Sequence, residues 1–284
     1  MPDNQAEKAP NLKMQNEAKI ERQFLKGTKD EDLGIYCDLF SARSSIKGQD
    51  GGVVTALLTK GLHEGTFDAA IVVRFTDGYT AEAVVAETAE DVLTAKGTKY
   101  LKVNVTKKMR ELINQGKKRI AVVCTPCEVS KARKIQQTTG KDCEITIIGL
   151  FCFEAFNKDR LREEMKTHLG VDLNSVEKMQ VQQGKFTAQV EGRAVSCRVK
   201  DLDCASEKTC RFCDDFTSRL ADVSVGSVGS KLGYFTVVVR SEVGEKLVKN
   251  LEAAKDTVDK PEVAKLAKFK KARAEKSFAS LNKS

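Results

Sequence analysis

The chain contains no tryptophan and only four tyrosines, which leaves few aromatic platforms on which the bases of single-stranded nucleic acid could stack. Histidine is scarcer still, with only His63 and His168. Each lies near the end of an expected helix, just before a glycine, where a solvated imidazole sits favourably in the helix dipole. Neither belongs to a Ser-His-Asp or H-E-x-x-H pattern, and a Walker loop is also missing. No apolar run approaches the roughly 18 residues needed to span a bilayer. The opening stretch, MPDNQAEKAPNLKMQNEAKIERQF, is polar and mixed in charge, unlike a secretory signal. A cytoplasmic protein is expected. There is neither an internal repeat nor a low-complexity segment.

What is abundant is cysteine: nine, at 37, 124, 127, 143, 152, 197, 204, 210 and 213. Structural disulfides are disfavoured in the cytosol, so clustered thiols there point to metal binding or redox work. The odd count also argues against a purely disulfide framework. Charge is uneven. The net charge is +8, yet Lys260 to Ser284 hold eight Lys/Arg and two Glu, a net +6. The body is therefore nearly neutral, and the tail reads as a basic helix for a partner or a solvated end.

Residues 1–33 read as a polar N-terminal arm. From 34 onward, apolar runs alternate with amphipathic stretches. DAAIVVRF (68–75), RIAVVC (119–124) and EITIIGLFC (144–152) have the continuous apolar character of strands buried on both faces. Helical patterns cover 49–65, 88–100, 105–118, 128–140 and 157–170. This alternation predicts an α/β fold with a mostly parallel sheet flanked by helices, and working residues at the carboxyl ends of the strands. Cys124 and Cys152 lie at such ends, with Cys127 just beyond. After 170 the pattern becomes antiparallel (177–199). A cysteine-rich loop, a Gly/Ser turn, a last strand, a helix (242–253) and the basic tail follow.

CRFC (210–213) has the two-residue spacer that lets both sulfurs face one metal, as in a structural zinc or an iron–sulfur site. CTPC (124–127) admits three readings: a dithiol at a helix N-terminus, a two-ligand metal arm, or a single ligand, Cys127, beside a core residue, Cys124, with Cys152 as a fourth thiolate. Cys37, Cys143, Cys197 and Cys204 read as structural. In GQDGGVVTALL, Asp50 and two glycines precede a helix, a place where backbone N–H groups favour an anion such as a pyrophosphate. AKGTKY (95–100) and VSVGSVGSKLG (223–233) offer two more small-residue loops. Together the three loops suit a nucleotide-type redox cofactor beside an electron carrier.

The set SARSSIKGQDGGVVTALL, AKGTKY, TPCE, GLFCFEAF, GKF and CRFCDDFTSRLADVSVGSVGS, with the strand after it, resembles the beta subunit of coenzyme F420-reducing hydrogenase and its relatives. These are flavin-containing iron–sulfur proteins that include F420-linked subunits of formate dehydrogenase, F420 dehydrogenase and sulfite reductase. The resemblance runs from about Gly34 to Arg240. It implies a 4Fe-4S cluster on Cys127, Cys152, Cys210 and Cys213, a donor set consistent with iron–sulfur chemistry. It also implies FAD contacts at Arg43, Gln49, Asp50, Gly51, Gly52, Gly97, Thr98, Lys99, Tyr100, Ser227, Val228, Gly229 and Ser230. The activity implied is hydride exchange between F420 and FAD, with single electrons passing through the cluster to or from a hydrogenase, formate dehydrogenase or heterodisulfide reductase partner. No side-chain acid or base is expected to be essential, and Lys99, Arg43 and Lys185 are candidates for the cofactors' anionic groups.

The chain departs from the family in two respects. Residues 1–33 lack the cysteines of the ferredoxin-like module that some relatives carry. Lys231-Leu232-Gly233-Tyr234-Phe235 stands where hydrogenase-type relatives have Pro-Asp-Gly-Trp-Ser, in a stretch that bears on the deazaflavin or partner pocket. The expected organisation is an arm (1–33), a catalytic domain (34–255) and a basic helical tail (256–284). Two other readings predict different behaviour: the same scaffold serving ferredoxin or a nicotinamide, and a colourless, zinc-stabilised interaction module.

Overall fold

The computed structural model describes residues 8–46, 52–76, 79–139, 142–249 and 251–281. The chain opens with helix α1 (Lys8–Phe24), a short hairpin of β1 (Thr28–Asp30) and β2 (Gly34–Tyr36), and strand β3 (Asp38–Ser44). Then come α2 (Val53–His63), β4 (Ala69–Thr76), β5 (Thr80–Ala86), α3 (Ala89–Thr94), α4 (Val105–Asn114), β6 (Arg119–Cys124), α5 (Pro126–Thr139) and β7 (Glu144–Leu150). An inserted unit follows: α6 (Lys158–Leu169) and the meander β8 (Val176–Gln182), β9 (Lys185–Val190), β10 (Arg193–Arg198). The chain closes with β11 (Val223–Gly226), β12 (Phe235–Val239), α7 (Glu242–Lys249), β13 (Ala253–Asp256) and α8 (Lys260–Leu281).

Eight strands form the main sheet, in the order β13-β3-β12-β11-β7-β6-β4-β5. The continuous apolar runs make its centre: β4 with β6, β6 with β7 and β7 with β11 pair in parallel. The outer ladders are antiparallel, so the sheet is mixed around a parallel middle. The strands bury both faces, with alternate residues turned to opposite layers. Ile71, Ile120, Val122, Ile145 and Ile147 pack with Ile20 of α1, Met109 and Leu112 of α4 and Val129 of α5. Val72, Val123 and Ile148 pack with Leu57 and Leu58 of α2, Val92 of α3 and Leu247 of α7. Leu161, Met165, Met179, Phe186 and Leu202 give the inserted unit a core of its own.

A buried polar knot locks the middle of β7 to the last third of the chain. Arg133 Nη2 donates to Asp222 Oδ1 at 2.9 Å, and both side chains are almost wholly buried. The Ile147 amide and the Ser241 hydroxyl donate to the same carboxylate at 2.7 and 2.6 Å. Beside it, the fully buried Arg240 donates to Ser224 Oγ, to the Leu33, Ile35 and Thr217 carbonyls and to Thr217 Oγ1. Burial lowers this guanidinium to about 10, but its hydrogen-bond capacity is met by a ring of neutral acceptors.

Candidate functional site

The parallel registers bring the carboxyl ends of β4, β6, β7 and β11 to one edge of the sheet. Because β3 runs antiparallel to β12, its own carboxyl end reaches that edge too. The segments that follow β3, β6, β7 and β11 at this edge carry Gly52, Cys127, Cys152 and Ser227–Ser230, whereas the 97–100 loop follows α3 and the Cys210–Cys213 loop precedes β11.

Cys124 is the last residue of β6, and its side chain belongs to the buried core. Burial drives its thiol well above the usual range, as suits a small hydrophobe. Pro126 then opens α5 at the first helical position, where a missing N–H costs nothing, and Cys127 follows it, exposed. Glu128 fastens this turn: buried, it accepts from the Thr106 amide and hydroxyl at 3.1 and 3.0 Å. Thr125 Oγ1 lies 3.4 Å from Cys127 Sγ. CTPC thus splits into an inward and an outward thiol.

Cys152 follows β7 and is held by its amide, which donates to the Phe216 carbonyl at 2.9 Å. The strand can end so close to the cysteine-rich loop because residue 149 is glycine. A Cβ there would lie 2.3 Å from Ser218 Cβ, and Ser218 is itself held at φ 57 with its hydroxyl donating to the Leu150 carbonyl. Cys210 sits in a short 3₁₀ turn (Lys208–Phe212), anchored by its amide on the Glu207 carbonyl at 2.8 Å, and Glu207 N in turn donates to Ala155 O. Cys213 N donates to Cys210 O at 3.1 Å.

These four thiols, from three loops, lie within one electrostatic neighbourhood. Burial pushes Cys152 up to about 12, and Cys210, Cys127 and Cys213 all add to the rise. Cys210 is raised by burial, with smaller contributions from Cys127 and Cys213. Among the described residues no three His, Cys, Asp or Glu side chains converge on a single-ion site. Cys37, Cys143, Cys197 and Cys204 lie elsewhere in the fold, unpaired by disulfides.

Helix α8 covers the thiol site, a placement its basic composition did not reveal. Lys270, 1% exposed, donates from Nζ to the Cys152 carbonyl. Arg273 donates to Glu154 at 2.8 Å and to the carbonyls of Phe153 and Cys210 at 2.9 and 3.3 Å. Its buried Nε has no hydrogen-bond partner among the described residues. Sequence alone does not reveal these residues because they stand 63 to 120 positions from the loops they touch.

Of the expected nucleotide contacts, Gln49, Asp50 and Gly51 lie outside the described residues. Gly52 caps α2 at φ 64 and presents that helix's N-terminus at the loop edge. Arg43 stands exposed near the end of β3. In the second loop, Gly97 (φ 90) and Thr98 precede Lys99, whose Nζ turns back on the Ala95, Lys96 and Gly97 carbonyls. Burial lowers Lys99 to about 8. The Tyr100 hydroxyl accepts from the Val181 amide at 2.9 Å, tying this loop to the meander where Lys185 opens β9. In the third loop Ser227 is exposed, Val228 half-buried and Gly229 takes φ 83. The Gly229 amide holds the Glu262 carboxylate at 3.0 Å, and Ser230 Oγ bonds Ser41 and Thr236 at 2.8 and 2.7 Å. The loop therefore binds a carboxylate at its backbone already. No helix among the described residues is long and apolar enough to cross a membrane.

The chain matches two family models, the coenzyme F420 hydrogenase/dehydrogenase beta subunit N-term over residues 39–110 and its C terminus over residues 117–264. It is 35% identical over 258 residues to the coenzyme F420-dependent sulfite reductase of Methanocaldococcus jannaschii, covering 85% of this chain and 41% of that protein. The chain thus spans about two fifths of that relative's length. It is 32% identical over 268 residues to the coenzyme F420 hydrogenase subunit beta of Methanothermobacter thermautotrophicus, covering 87% and 95%. Its fold is similar to a chain of the F420-reducing [NiFe] hydrogenase complex from Methanosarcina barkeri, with a TM-score of 0.82, 32% identity and coverage of 88% and 94%. The chain belongs to the coenzyme F420 hydrogenase/dehydrogenase beta-subunit family, a family of oxidoreductase components.

Proposed function

We propose that this chain exchanges hydride between coenzyme F420 and FAD and passes single electrons to or from a partner redox subunit through a 4Fe-4S cluster. The observation that carries the reading is that Cys127 and Cys152 follow neighbouring parallel strands at the sheet edge from which the glycine-bearing loops after β3 and β11 also leave, with Cys210 and Cys213 acting electrostatically on Cys152. When bound, FAD would supply two-electron and one-electron chemistry in one ring system and the cluster one-electron transfer.

The protein's own part is to bind, orient and shield. Cys127, in the first turn of α5 just after β6, Cys152, just beyond the neighbouring parallel strand β7, and Cys210 and Cys213, on the cysteine-rich loop, would hold the cluster. Glu128, Phe216 and Glu207 fix the backbones that carry three of those thiols. The N-terminus of α2 at Gly52, with Arg43 and Lys99, would meet the anionic groups of FAD. No side chain is assigned as a proton donor or acceptor. Partners of hydrogenase, formate dehydrogenase or heterodisulfide reductase type are proposed because a single cluster needs a further acceptor.

Anaerobic purification with iron and flavin analysis, followed by an F420 oxidation–reduction assay, tests this reading. We expect a brown-yellow protein with about four irons per chain that changes the deazaflavin absorbance in the presence of FAD and an electron donor or acceptor. A zinc-containing, colourless protein sinks the whole reading. A protein holding flavin and iron that leaves F420 unchanged in both directions removes only the F420 assignment.

A further inference from the structure

Among the described residues three cations are buried, and their surroundings differ. Arg133 has the Asp222 carboxylate at 2.9 Å. Arg240 has five oxygen acceptors around it. Lys270, equally buried at 1% exposure, has one, the Cys152 carbonyl, and no carboxylate pairs with it among the described residues. The Glu154 carboxylate, two residues beyond Cys152, is held by Arg273 at 2.8 Å and by the Ser206 hydroxyl at 3.1 Å. An ammonium withdrawn from water with a single neutral acceptor is costly, so a compensating negative charge is called for. Bonded to the Cys152 backbone, Lys270 carries a charge that opposes the rise that burial causes in the Cys152 and Cys210 thiols. A four-thiolate cluster at that point is an anion, and becomes more negative on reduction.

We propose that Lys270 is a positioning residue that supplies the counter-charge of the thiolate site and raises the reduction potential of the cluster held there. This rests on the iron–sulfur reading above. The matched family model ends at residue 264, so Lys270 lies beyond the region through which that family is identified. The physical sequence is short. The cation's attraction grows by one unit charge when the cluster gains an electron, so the reduced state is stabilised more than the oxidised one. Poor hydration in the covered site prolongs that attraction, because little solvent screens it.

The test compares the full-length chain with Lys270→Gln and Lys270→Arg, purified anaerobically and titrated with reductant while the cluster's paramagnetic signal is followed, with iron measured in parallel. Glutamine keeps a donor toward the Cys152 carbonyl and removes the charge, whereas arginine keeps the charge. We expect Lys270→Gln to reduce the equilibrium constant for one-electron reduction about tenfold, equivalent to about 59 mV downward, and Lys270→Arg to stay within about threefold of the parent. Loss of iron in Lys270→Gln with retention in Lys270→Arg also supports the proposal, since charge is then needed to keep the thiolates loaded. Equal potentials in parent and Lys270→Gln overturn it, as does equal loss of iron or an equal shift in both variants, which would make the lysine a mere prop. A parent chain without iron defeats the iron–sulfur reading itself, an outcome separate from all of these.

Discussion

Asp222 shows how much one carboxylate can organise. It satisfies the buried Arg133, the Ile147 amide and the Ser241 hydroxyl, and its carbonyl accepts from the Arg240 amide at 2.9 Å. Asp222→Ala leaves Arg133 buried and unpaired, and removal of one partner of a buried ion pair costs about 3–5 kcal/mol. Urea unfolding should show a loss of that size, and adding Arg133→Met should restore a good part of it, because the stranded charge then disappears. A double variant no more stable than Asp222→Ala would show that the carboxylate acts through Ile147 and Ser241 instead. The two CTPC cysteines permit a second test. Cys124→Ala should keep its iron and lose about 1 kcal/mol of stability through lost core packing, whereas Cys127→Ala should lose iron. The reverse pattern in iron analysis would restore the two-ligand reading. The inward and outward roles of these thiols follow from their positions at a strand end and in a helix first turn, and were legible as one of three alternatives. The Asp222 knot was not legible, since its members stand 19 to 89 residues apart and look like ordinary surface polar residues in sequence.

Elements were readable wherever both faces of a strand are buried. The apolar runs of β4, β6 and β7 appear within a residue or two of their expected places, as do α5 and α6, while α4 starts where expected and ends four residues early at Asn114. β3, β5 and β13 were not anticipated as strands. β3 carries Ser41, Arg43 and Ser44 between its apolar positions, β5 is the half-exposed sheet edge, and β13 is only four residues long. Composition likewise marked α8 as basic but could not show which of its lysines point inward. Its first turn is tied to the N-terminal hairpin by Lys260 Nζ on Asp30 at 2.8 Å. Burial pushes the Asp30 carboxyl up, but the Lys260 hydrogen bond and the Leu33 and Asp32 amides pull it below its ordinary 3.8. Asp30 raises Lys260 above its ordinary 10.5. A carboxylate with a lowered folded-state pKa stabilises fully above 3.8 and loses that contribution as pH falls through its lower folded value. The raised lysine stabilises fully below 10.5 and loses its contribution only as pH climbs beyond that. The tie should therefore be constant from about pH 5 to 9 and weaken below 4. As the pair is partly exposed, its worth is under about 1 kcal/mol. Hydrogen exchange of the α8 amides, corrected for intrinsic rates, should show up to about threefold more loss of protection between pH 6 and 3 in the parent than in Asp30→Asn. Identical acid responses would place the sensitivity in another contact.

At the scale of the whole molecule, the sheet edge is closed by chain segments from opposite ends of the sequence. Leu33 from the N-terminal hairpin, Phe216 from the cysteine-rich loop and Val263 and Ala267 from α8 form one buried cluster, with Phe151 and Phe153 against it. The two core clusters on the faces of the main sheet share no buried residue with this one. Removing α8 should therefore separate two properties that a globular protein usually loses together. A chain ending at Thr257 exposes Leu33 and Phe216 and discards Lys270 and Arg273, while leaving the central sheet and its helices intact. The buried Val263 and the two buried alanines, Ala267 and Ala274, account for about 3 kcal/mol of burial. Circular dichroism should show retained β and α signal outside the lost helix and a cooperative melt at lower temperature. Iron per chain should fall far below the parent's, because the Cys152 and Cys210 loops lose the side chains that hold their carbonyls. A shortened chain that keeps the parent's iron would reduce α8 to a cover, and one that fails to melt cooperatively would make it part of the core. Supplying α8 as a separate peptide and regaining iron would show that the helix needs only to dock, not to be covalently joined.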